Sequence, residues 1–306
     1  MKTAFLFPGQ GSQYIGMGND IFEGCGIAQD IYKTVSEVSG INIPAISFSG
    51  HAEKLRESQN AQLATLTMSL AIFHVITAKG IKPDIIAGHS MGEYSAIIAA
   101  KGMDIKEGIV LIKKRGELMS QKNTKLEGAM AAITGLPLQE IEAVLSDEAD
   151  ICIANHNTPT QFVLSGAKAC IYKVTLLLKK KGAKVIILPV EGAFHSPLMQ
   201  NAATKFHEFL NGICVKDLSY PLIGNVKASP ISQSSEIMEE MKRHMLSPVR
   251  WCDTIKKMLD MGITRFVEIG PGNVLKGLIL RIHRTAEVFT TGSLRELEKT
   301  TEKLVS

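Results

Sequence analysis

Short apolar runs alternate with longer segments of helical periodicity along most of the chain. The pattern predicts strands at residues 3–7, 85–87 and 265–269, and helices at residues 62–79, 93–101 and 106–121. A polar segment at residues 227–235 predicts a loop. Strands that alternate with helices are typical of a parallel sheet covered on both faces, so we predict an α/β fold for the first and last parts of the chain.

The middle of the chain has a different order of elements. Strand-like patterns occupy residues 128–135, 150–154, 161–165 and 184–190, with helical patterns at residues 138–145 and 169–181. The order β-α-β-β-α-β is that of the ferredoxin-like unit. We therefore predict a small ferredoxin-like domain at residues 126–197, inserted into a larger parallel-sheet domain formed by residues 1–125 and 198–306.

Composition narrows the class of protein. Of the 306 residues, 45% are hydrophobic and 21% are charged, which is ordinary for a folded chain, and a net charge of +4 without a long basic tract does not favour nucleic-acid binding. No run reaches about 18 consecutive apolar residues and the N-terminus does not resemble a signal peptide, so we expect no membrane span and a cytoplasmic protein. The five scattered cysteines fit reduced thiols and argue against structural zinc.

Residues 88–92, with the sequence GHSMG, match the G-x-S-x-G pattern of a nucleophile elbow. A predicted strand ends just before this segment and a predicted helix begins just after it. In such a turn the glycines allow a sharp reversal that lifts the serine hydroxyl above the sheet edge, and the helix N-terminus favours negative charge beside it. We therefore predict an α/β-hydrolase-like large domain with Ser90 as nucleophile; the alternative is a tight turn with a chance serine.

An acyl-transfer site also needs hydrogen-bond donors for the oxyanion. The backbone N–H of Met91, the residue after the candidate nucleophile, is one of them. The second should come from the loop after an earlier strand, and residues 8–13, with the sequence PGQGSQ, have that position. Glycines there let the backbone approach a ligand, although a plain strand-to-helix turn has the same character.

Two of the eight histidines are candidates for the base that activates the serine. His283 has the chain position usual in α/β-hydrolases, but it lies between Arg281 and Arg284, whose charges disfavour the imidazolium that a catalytic base must become. His195 follows the last strand of the small domain, at the junction with the large one. We favour His195 as the base because a junction between domains is a common place for a cleft. His89 adjoins the serine, and we expect it to be a packing or orienting residue and not the base.

The predicted helix at residues 106–121 carries an arginine on its apolar face. Leu111, Ile112, Leu118 and Met119 form that face, and Arg115 falls near its middle. A buried arginine is costly unless it is paired, so Arg115 binds either a structural carboxylate or a substrate carboxylate. In an acyl-transfer site, the second alternative implies an acyl group that carries its own carboxylate.

Seven motifs in this order resemble one family of enzymes. They are FPGQGSQ (7–13), GHSMGEYSA (88–96), KRGELM (114–119), EGAMAAI (127–133), GAFHSPLM (192–199), SPVRW (247–251) and EIGPGNVL (268–275). The chain resembles the malonyl-CoA:acyl-carrier-protein transacylases of fatty acid synthesis and the acyltransferase domains of polyketide synthases. The resemblance covers almost the whole chain.

The resemblance implies roles for the reacting groups. Ser90 would be the acylated nucleophile, and His195 its general base and acid. The backbone N–H groups of Gln10 and Met91 would form the oxyanion hole. The family has no catalytic aspartate, and a main-chain carbonyl in the SPVRW motif orients the histidine instead, which places it here at about Arg250.

The resemblance also implies how the acyl group is selected. Arg115 would bind the free carboxylate of malonate, and Gln62 would line the same pocket. Phe194 resembles the bulky residue of malonyl-selective members, which leaves little room for an α-methyl branch. Two residues depart from the common pattern, because Met91 replaces a frequent leucine and Leu63 replaces the usual proline.

The resemblance implies ping-pong transfer of malonyl from malonyl-CoA, through a malonyl-serine ester, to the phosphopantetheine thiol of acyl carrier protein. It implies no metal and no organic cofactor, and we expect a monomer. One alternative is a hydrolase of the same fold that discharges acyl groups from carrier proteins, which would gain nothing from Arg115. Another is a non-catalytic docking subunit. The sequence leaves fatty acid and polyketide pathways open.

Overall fold

The structure, a computed structural model, describes residues 1–120, 127–190 and 192–305. Its strands are β1 (Lys2–Phe7), β2 (Ile85–Gly88), β3 (Gly128–Thr134), β4 (Ile151–Thr158), β5 (Gln161–Ala167), β6 (Lys184–Ile187), β7 (Leu222–Ile223), β8 (Pro230–Ile231), β9 (Ile263–Glu268) and β10 (Glu287–Thr290). Its α-helices are α1 (Asn19–Gly24), α2 (Gly26–Ser39), α3 (Ile43–Phe48), α4 (Ala52–Arg56), α5 (Ser58–Ala78), α6 (Met91–Ala99), α7 (Ile105–Ser120), α8 (Leu138–Leu145), α9 (Lys168–Lys180), α10 (Gln200–Leu210), α11 (Ser234–His244), α12 (Trp251–Asp260), α13 (Val274–Ile282) and α14 (Leu294–Val305).

The larger sheet confirms the predicted parallel α/β fold. Its strand order is β10-β9-β1-β2-β7-β8, and every neighbouring pair except β7 and β8 is parallel. Five of the six residues of β1 and all four of β2 are buried, which explains why both read as continuous apolar runs. The carboxyl ends of β1, β2 and β7 therefore lie side by side at one edge of the sheet.

The smaller sheet confirms the ferredoxin-like unit. Its strands are antiparallel in the order β4-β5-β3-β6, and α8 and α9 pack with it around a separate apolar core. The predicted boundary at residues 125 and 126 falls outside the described residues, as does the predicted helix end at residue 121. The domain limits therefore stay a prediction.

A short parallel β-bridge joins strand β4 of the smaller sheet to the segment before α12 in the large domain. The Val249 N–H donates to the Ala154 carbonyl over 2.8 Å, and the His156 N–H donates to the Val249 carbonyl over 2.9 Å. The middle of β4 is thereby fixed to the segment that precedes α12. The segment before α12 also contributes to the candidate active site, because it contains Ser247, whose carbonyl contacts the His195 ring.

Helix α5 is the one described helix that is long and apolar enough to span a membrane. In its most hydropathic 18-residue window, 83% is buried inside the fold, where α5 packs against α2 and α7. A helix that is apolar on all sides is expected in the core of a large domain. Its length therefore reflects its central position in the large domain.

The prediction of a loop at residues 227–235 is partly wrong. The structure places strand β8 within it and begins α11 at Ser234. Gln233 and Glu236 form a capping box, in which the Gln233 N–H donates to Glu236 Oε2 over 3.1 Å. The polar residues of this segment thus start a helix, which polar composition alone does not reveal.

Candidate active site

The turn between β2 and α6 has the strained backbone of a nucleophile elbow. Ser90 has φ 51° and ψ −115°, a conformation that residues with a side chain rarely adopt. A Cβ atom on Gly88 would lie 1.9 Å from the carbonyl carbon of Gly92, and one on Gly92 would lie 2.0 Å from the Phe7 oxygen. Because neither position has room for a side chain, the packing itself requires both glycines of the GHSMG segment.

Ser90 and His195 meet although 105 residues separate them. Ser90 Oγ lies 2.7 Å from His195 Nε2. On the other side of the ring, His195 Nδ1 lies 3.0 Å from the carbonyl oxygens of both His244 and Ser247. Since carbonyl oxygens only accept, the proton of the neutral ring is on Nδ1, and the lone pair of Nε2 faces the serine hydroxyl.

The structure corrects the source of the orienting carbonyl. The sequence places it at about Arg250, whereas the oxygens that contact the histidine ring belong to Ser247, the first residue of the SPVRW motif, and to His244. The Arg250 carbonyl accepts the Thr254 N–H over 2.9 Å, because Arg250 caps the N-terminus of α12. Its guanidinium also points elsewhere and pairs with Asp253 over 2.9 Å.

Two backbone N–H groups beside Ser90 are available to an oxyanion. Gly9 packs so closely on the elbow that a Cβ there would lie 2.3 Å from the His89 oxygen. This contact brings the loop of Gln10 next to Met91, the first residue of α6. Within the described residues, neither the Gln10 N–H nor the Met91 N–H donates a hydrogen bond. The Ser90 N–H is engaged elsewhere, because it donates to Asn225 Oδ1 over 2.9 Å.

Arg115 is buried with part of its hydrogen-bonding capacity unused. Only 1% of the residue is exposed, and its Nη1 donates to Gln62 Oε1 over 2.7 Å. The guanidinium lies 5.1 Å from the centre of the Tyr94 ring. Among the described residues, Nε and Nη2 have no hydrogen-bond partner and no carboxylate forms an ion pair with Arg115. A buried cation with two free donors fits a carboxylate brought by a ligand better than a structural one.

A cleft of about 470 Å³ brings these groups together. Its walls include the candidates Gln10, Ser90, Arg115, Phe194 and His195. Further wall residues come from the smaller sheet, from the segment after β6, from α7 and from α13. The apolar ones are Met119, Met130, Ala132, Val163, Leu188, Pro189, Val190, Val274, Leu275 and Leu278. Gln62 lies behind Arg115, fully buried, and its Nε2 is 3.4 Å from Gln10 Oε1.

A model of the acyl transferase domain matches residues 4–300. The chain belongs to the acyl transferase domain family. It is 39% identical over 302 residues to the malonyl CoA-acyl carrier protein transacylase of Bacillus subtilis (strain 168), with 97% of this chain and 95% of the relative covered. The transacylase of the same name from Staphylococcus aureus (strain MSSA476) is 35% identical, with 97% of each chain covered.

Solved structures in this acyl transferase family have the same fold. The malonyl CoA-acyl carrier protein transacylase (fabD) of Coxiella burnetii superposes with a TM-score of 0.96 at 34% identity, covering 100% of this chain and 98% of that one. A malonyl-transacylase in complex with a type II PKS acyl-carrier protein, PlMCAT:AntF, has a TM-score of 0.95 at 33% identity. It covers 99% of this chain, and all of that chain is matched.

Neither His283 nor His89, the other histidines considered above, hydrogen-bonds to the serine hydroxyl. His283 is exposed at the end of α13, where its Nε2 lies 3.1 Å from Thr285 Oγ1. His89 is half-buried on the wall of the cleft, but its ring is engaged elsewhere: its Nε2 lies 2.8 Å from Asn157 Oδ1, and the ring packs on Trp251. Of the two candidates for the base, the structure therefore brings only His195 to Ser90.

The environment of His195 keeps its ring neutral. Burial first, and then the positive charge of Arg115, lower the pKa of His195 to about 3. A base that is neutral at working pH is ready to accept the proton of a serine hydroxyl. The carbonyls of Ser247 and His244 oppose this shift by favouring the charged form, but burial dominates.

We expect kcat/KM for malonyl-CoA to stay level between about pH 8 and about pH 5, because this ratio reports the base of the free enzyme. A histidine is an active base above its pKa, and the pKa of His195 lies well below the ordinary 6.5. The measurement is the initial rate at low substrate concentration across this range, with circular dichroism at each pH to check folding. An acid limb with its midpoint near 6.5 would contradict the lowered pKa.

Proposed function

We propose that this chain transfers the malonyl group from malonyl-CoA to the phosphopantetheine thiol of acyl carrier protein. The observation that carries the proposal is Arg115, a buried cation with two unused donors in the same cleft as the Ser90–His195 pair. A free carboxylate on the acyl group would complete its hydrogen bonds. The names of the transacylases that the chain resembles support the same donor and acceptor.

The first half-reaction loads the serine. As Ser90 Oγ attacks the thioester carbonyl, its proton passes to His195 Nε2, which lies 2.7 Å away. The N–H groups of Gln10 and Met91 hold the oxyanion of the tetrahedral intermediate. When the intermediate collapses, the carbon–sulfur bond breaks and CoA leaves as a thiol with the proton from His195. The product is a malonyl-serine ester.

The second half-reaction repeats these steps with a different nucleophile. The thiol of the carrier's phosphopantetheine arm gives its proton to His195 and attacks the ester carbonyl. The same two N–H groups hold the oxyanion, and collapse returns the proton to Ser90 Oγ. Apolar wall residues on both sides of the cleft limit the space for water at this step, which favours transfer over hydrolysis.

Acyl selection rests on three side chains in this proposal. Gln62 accepts from Arg115 and so fixes the plane of the guanidinium that binds the malonate carboxylate. Phe194, which is 6% exposed, fills the wall next to His195. A branched acyl chain would meet this ring, so we propose that Phe194 favours malonyl over α-methyl-branched groups.

The cellular setting is part of the proposal. We expect the cytoplasm, where malonyl-CoA and carrier proteins meet, and we keep the expectation of a monomer. Relatives named as transacylases favour transfer over the hydrolase alternative. One similar structure holds a type II PKS acyl-carrier protein, so service to a polyketide carrier is a second setting for the same chemistry.

Intact-protein mass spectrometry tests the proposal directly. The protein is mixed with malonyl-CoA, first alone and then with holo acyl carrier protein. A malonyl adduct that forms on this chain and then moves to the carrier supports the transferase. An adduct that decays at the same rate with and without carrier, with release of free malonate, would indicate the hydrolase instead. The absence of any adduct would contradict malonyl-CoA as donor.

Replacement of Arg115 by alanine is expected to remove the preference for malonyl-CoA over acetyl-CoA. Loss of a charge-assisted carboxylate contact is expected to weaken malonyl selection by about 10- to 100-fold. The measurement is the ratio of kcat/KM for the two donors. Arg56→Ala is the matched control, since Arg56 is an exposed arginine on the wall of the same cleft and its loss should leave the ratio unchanged. An unchanged ratio in Arg115→Ala would contradict the proposed contact between Arg115 and the malonate carboxylate.

A further inference from the structure

Asn225 lies at the edge of the sheet where the nucleophile turn begins. It follows β7, which pairs in parallel with β2, so the carboxyl ends of both strands are adjacent. The residue is 1% exposed. No motif that carries the family resemblance contains it, and the reaction steps above do not use it.

The side chain of Asn225 binds both ends of the elbow. Its Oδ1 accepts the Ser90 N–H over 2.9 Å, and its Nδ2 donates to the Gly88 carbonyl over 2.7 Å. One amide group thus spans the turn in which Ser90 has φ 51°. With its N–H committed to Asn225, Ser90 cannot supply an oxyanion donor, which leaves that role to Gln10 and Met91.

The backbone of Asn225 connects the elbow to the support of the base. Its N–H donates to Glu93 Oε2 on α6 over 2.7 Å. Its carbonyl accepts the Arg250 N–H over 3.2 Å. Arg250 lies three residues after Ser247, whose carbonyl binds His195 Nδ1. Asn225 therefore contacts the segment of the nucleophile and the segment that orients the base.

We propose that Asn225 is a positioning residue that holds Ser90 in its strained conformation and in line with His195 Nε2. It acts through Ser90 and touches neither the acyl group nor the reacting oxygen. A strained backbone persists only where its surroundings fix it, and the two side-chain hydrogen bonds of buried Asn225 to Ser90 and Gly88 do so here. The inference rests on the nucleophile role proposed for Ser90.

The readout that isolates this role is the rate at which a fluorophosphonate labels Ser90. In that reaction a bond forms between Ser90 Oγ and phosphorus, fluoride leaves, and His195 takes the proton. The probe has no malonyl group, so the readout does not depend on Arg115. The rate of malonyl-enzyme formation in a single turnover is measured in parallel, and it alone tests malonyl-CoA as donor.

Asn225→Ala is expected to slow both rates by about 10²-fold, since a displacement of about 1 Å at reacting groups can have that effect. The dissociation constant for malonyl-CoA should stay within about twofold, because Arg115 and Gln62 are intact. Asn60→Ala is the matched control. Asn60 is also a buried asparagine, with Nδ2 bonded to the Lys54 carbonyl and to Glu57 Oε2, and it is outside the mechanism. It should lose stability in a thermal melt and keep both rates.

Asn225→Asp supplies a second test that does not require the amide to be deleted. A protonated aspartate can accept from the Ser90 N–H and donate to the Gly88 carbonyl, whereas an ionised one repels that carbonyl. The labelling rate of the variant, divided by that of the wild type, should therefore rise as pH falls. The ionisable groups near the elbow and this loop, present in both proteins, are His89, Glu93, Arg115, His195, Lys227, Glu240 and His244.

Two results would overturn the inference. One is folded Asn225→Ala that is labelled within about twofold of the wild-type rate, where about 10²-fold slowing is expected. The other, decisive if the alanine variant does not fold, is a ratio for Asn225→Asp that does not change with pH. If the wild type is labelled at Ser90 but never forms a malonyl adduct, the proposed function fails while the inference about Asn225 stands. If the wild type is not labelled at all, both fail.

Discussion

Ser90→Ala is expected to form no malonyl adduct when mixed with malonyl-CoA. The substitution removes the only atom that could carry the ester, Oγ, which lies 2.7 Å from His195 Nε2. Alanine keeps the Cβ atom and the backbone N–H that binds Asn225, so the elbow should retain its shape. Intact-mass measurement detects the adduct, and transfer to the carrier should stop with it.

Ser95→Ala is the matched control for this prediction. Ser95 lies on α6, the helix that follows Ser90, is fully buried, and directs its Oγ to Met91 Sδ over 3.7 Å rather than to a histidine. It should therefore keep the adduct at wild-type stoichiometry. A malonyl adduct that persists on Ser90→Ala would show that another residue is acylated.

Local signals in the sequence were sufficient for the turn that carries the serine. An apolar strand, two glycines and a helical run follow one another within residues 85–99, and their spacing specifies the turn without knowledge of distant residues. The close contacts of Gly88 and Gly92 give the physical reason. The succession of strands and helices along the small domain was predictable for the same reason, because each element shows its own hydrophobic periodicity.

Contacts made by the backbone were not predictable in this way. A carbonyl oxygen belongs to every residue, so composition does not distinguish Ser247 from Arg250 as the group that orients His195. The choice depends on α12, because the Arg250 carbonyl accepts the Thr254 N–H in the first turn of that helix. That helix was not predicted, although Trp251, Ile255 and Met258 recur at helical spacing.

The role of Asn225 is not predictable from the sequence because it depends on the order of strands in the sheet. It lies 135 residues from Ser90, and only the pairing of β7 with β2 brings them together. Parallel neighbours cannot be read from the sequence of either strand. Once the order is known, a buried asparagine just after β7 is a clear candidate, since its amide must find partners at the adjacent strand end.

Replacement of His195 by alanine is expected to slow malonyl-enzyme formation by about 10³-fold or more in a single turnover, on the scale found for a general base coupled to its nucleophile. Arg115 and the two oxyanion donors remain, so the variant should still bind malonyl-CoA and retain a slow reaction. That residual rate should rise with pH, because hydroxide must then remove the proton from Ser90.

His283→Ala is the control, since that exposed residue has the other candidate position in the chain. It should leave the rate unchanged, and loss of acylation there with retention in His195→Ala would reverse the assignment of the base. The size of the His195 effect also bears on the orientation of the ring, which no carboxylate among the described residues contacts. Two carbonyl oxygens fix the ring's tautomer and direction but add no full negative charge next to the imidazolium. The rate therefore depends on how these carbonyls orient the His195 ring. A displacement of the segment that contains Ser247 should reduce the rate although every catalytic side chain is still present.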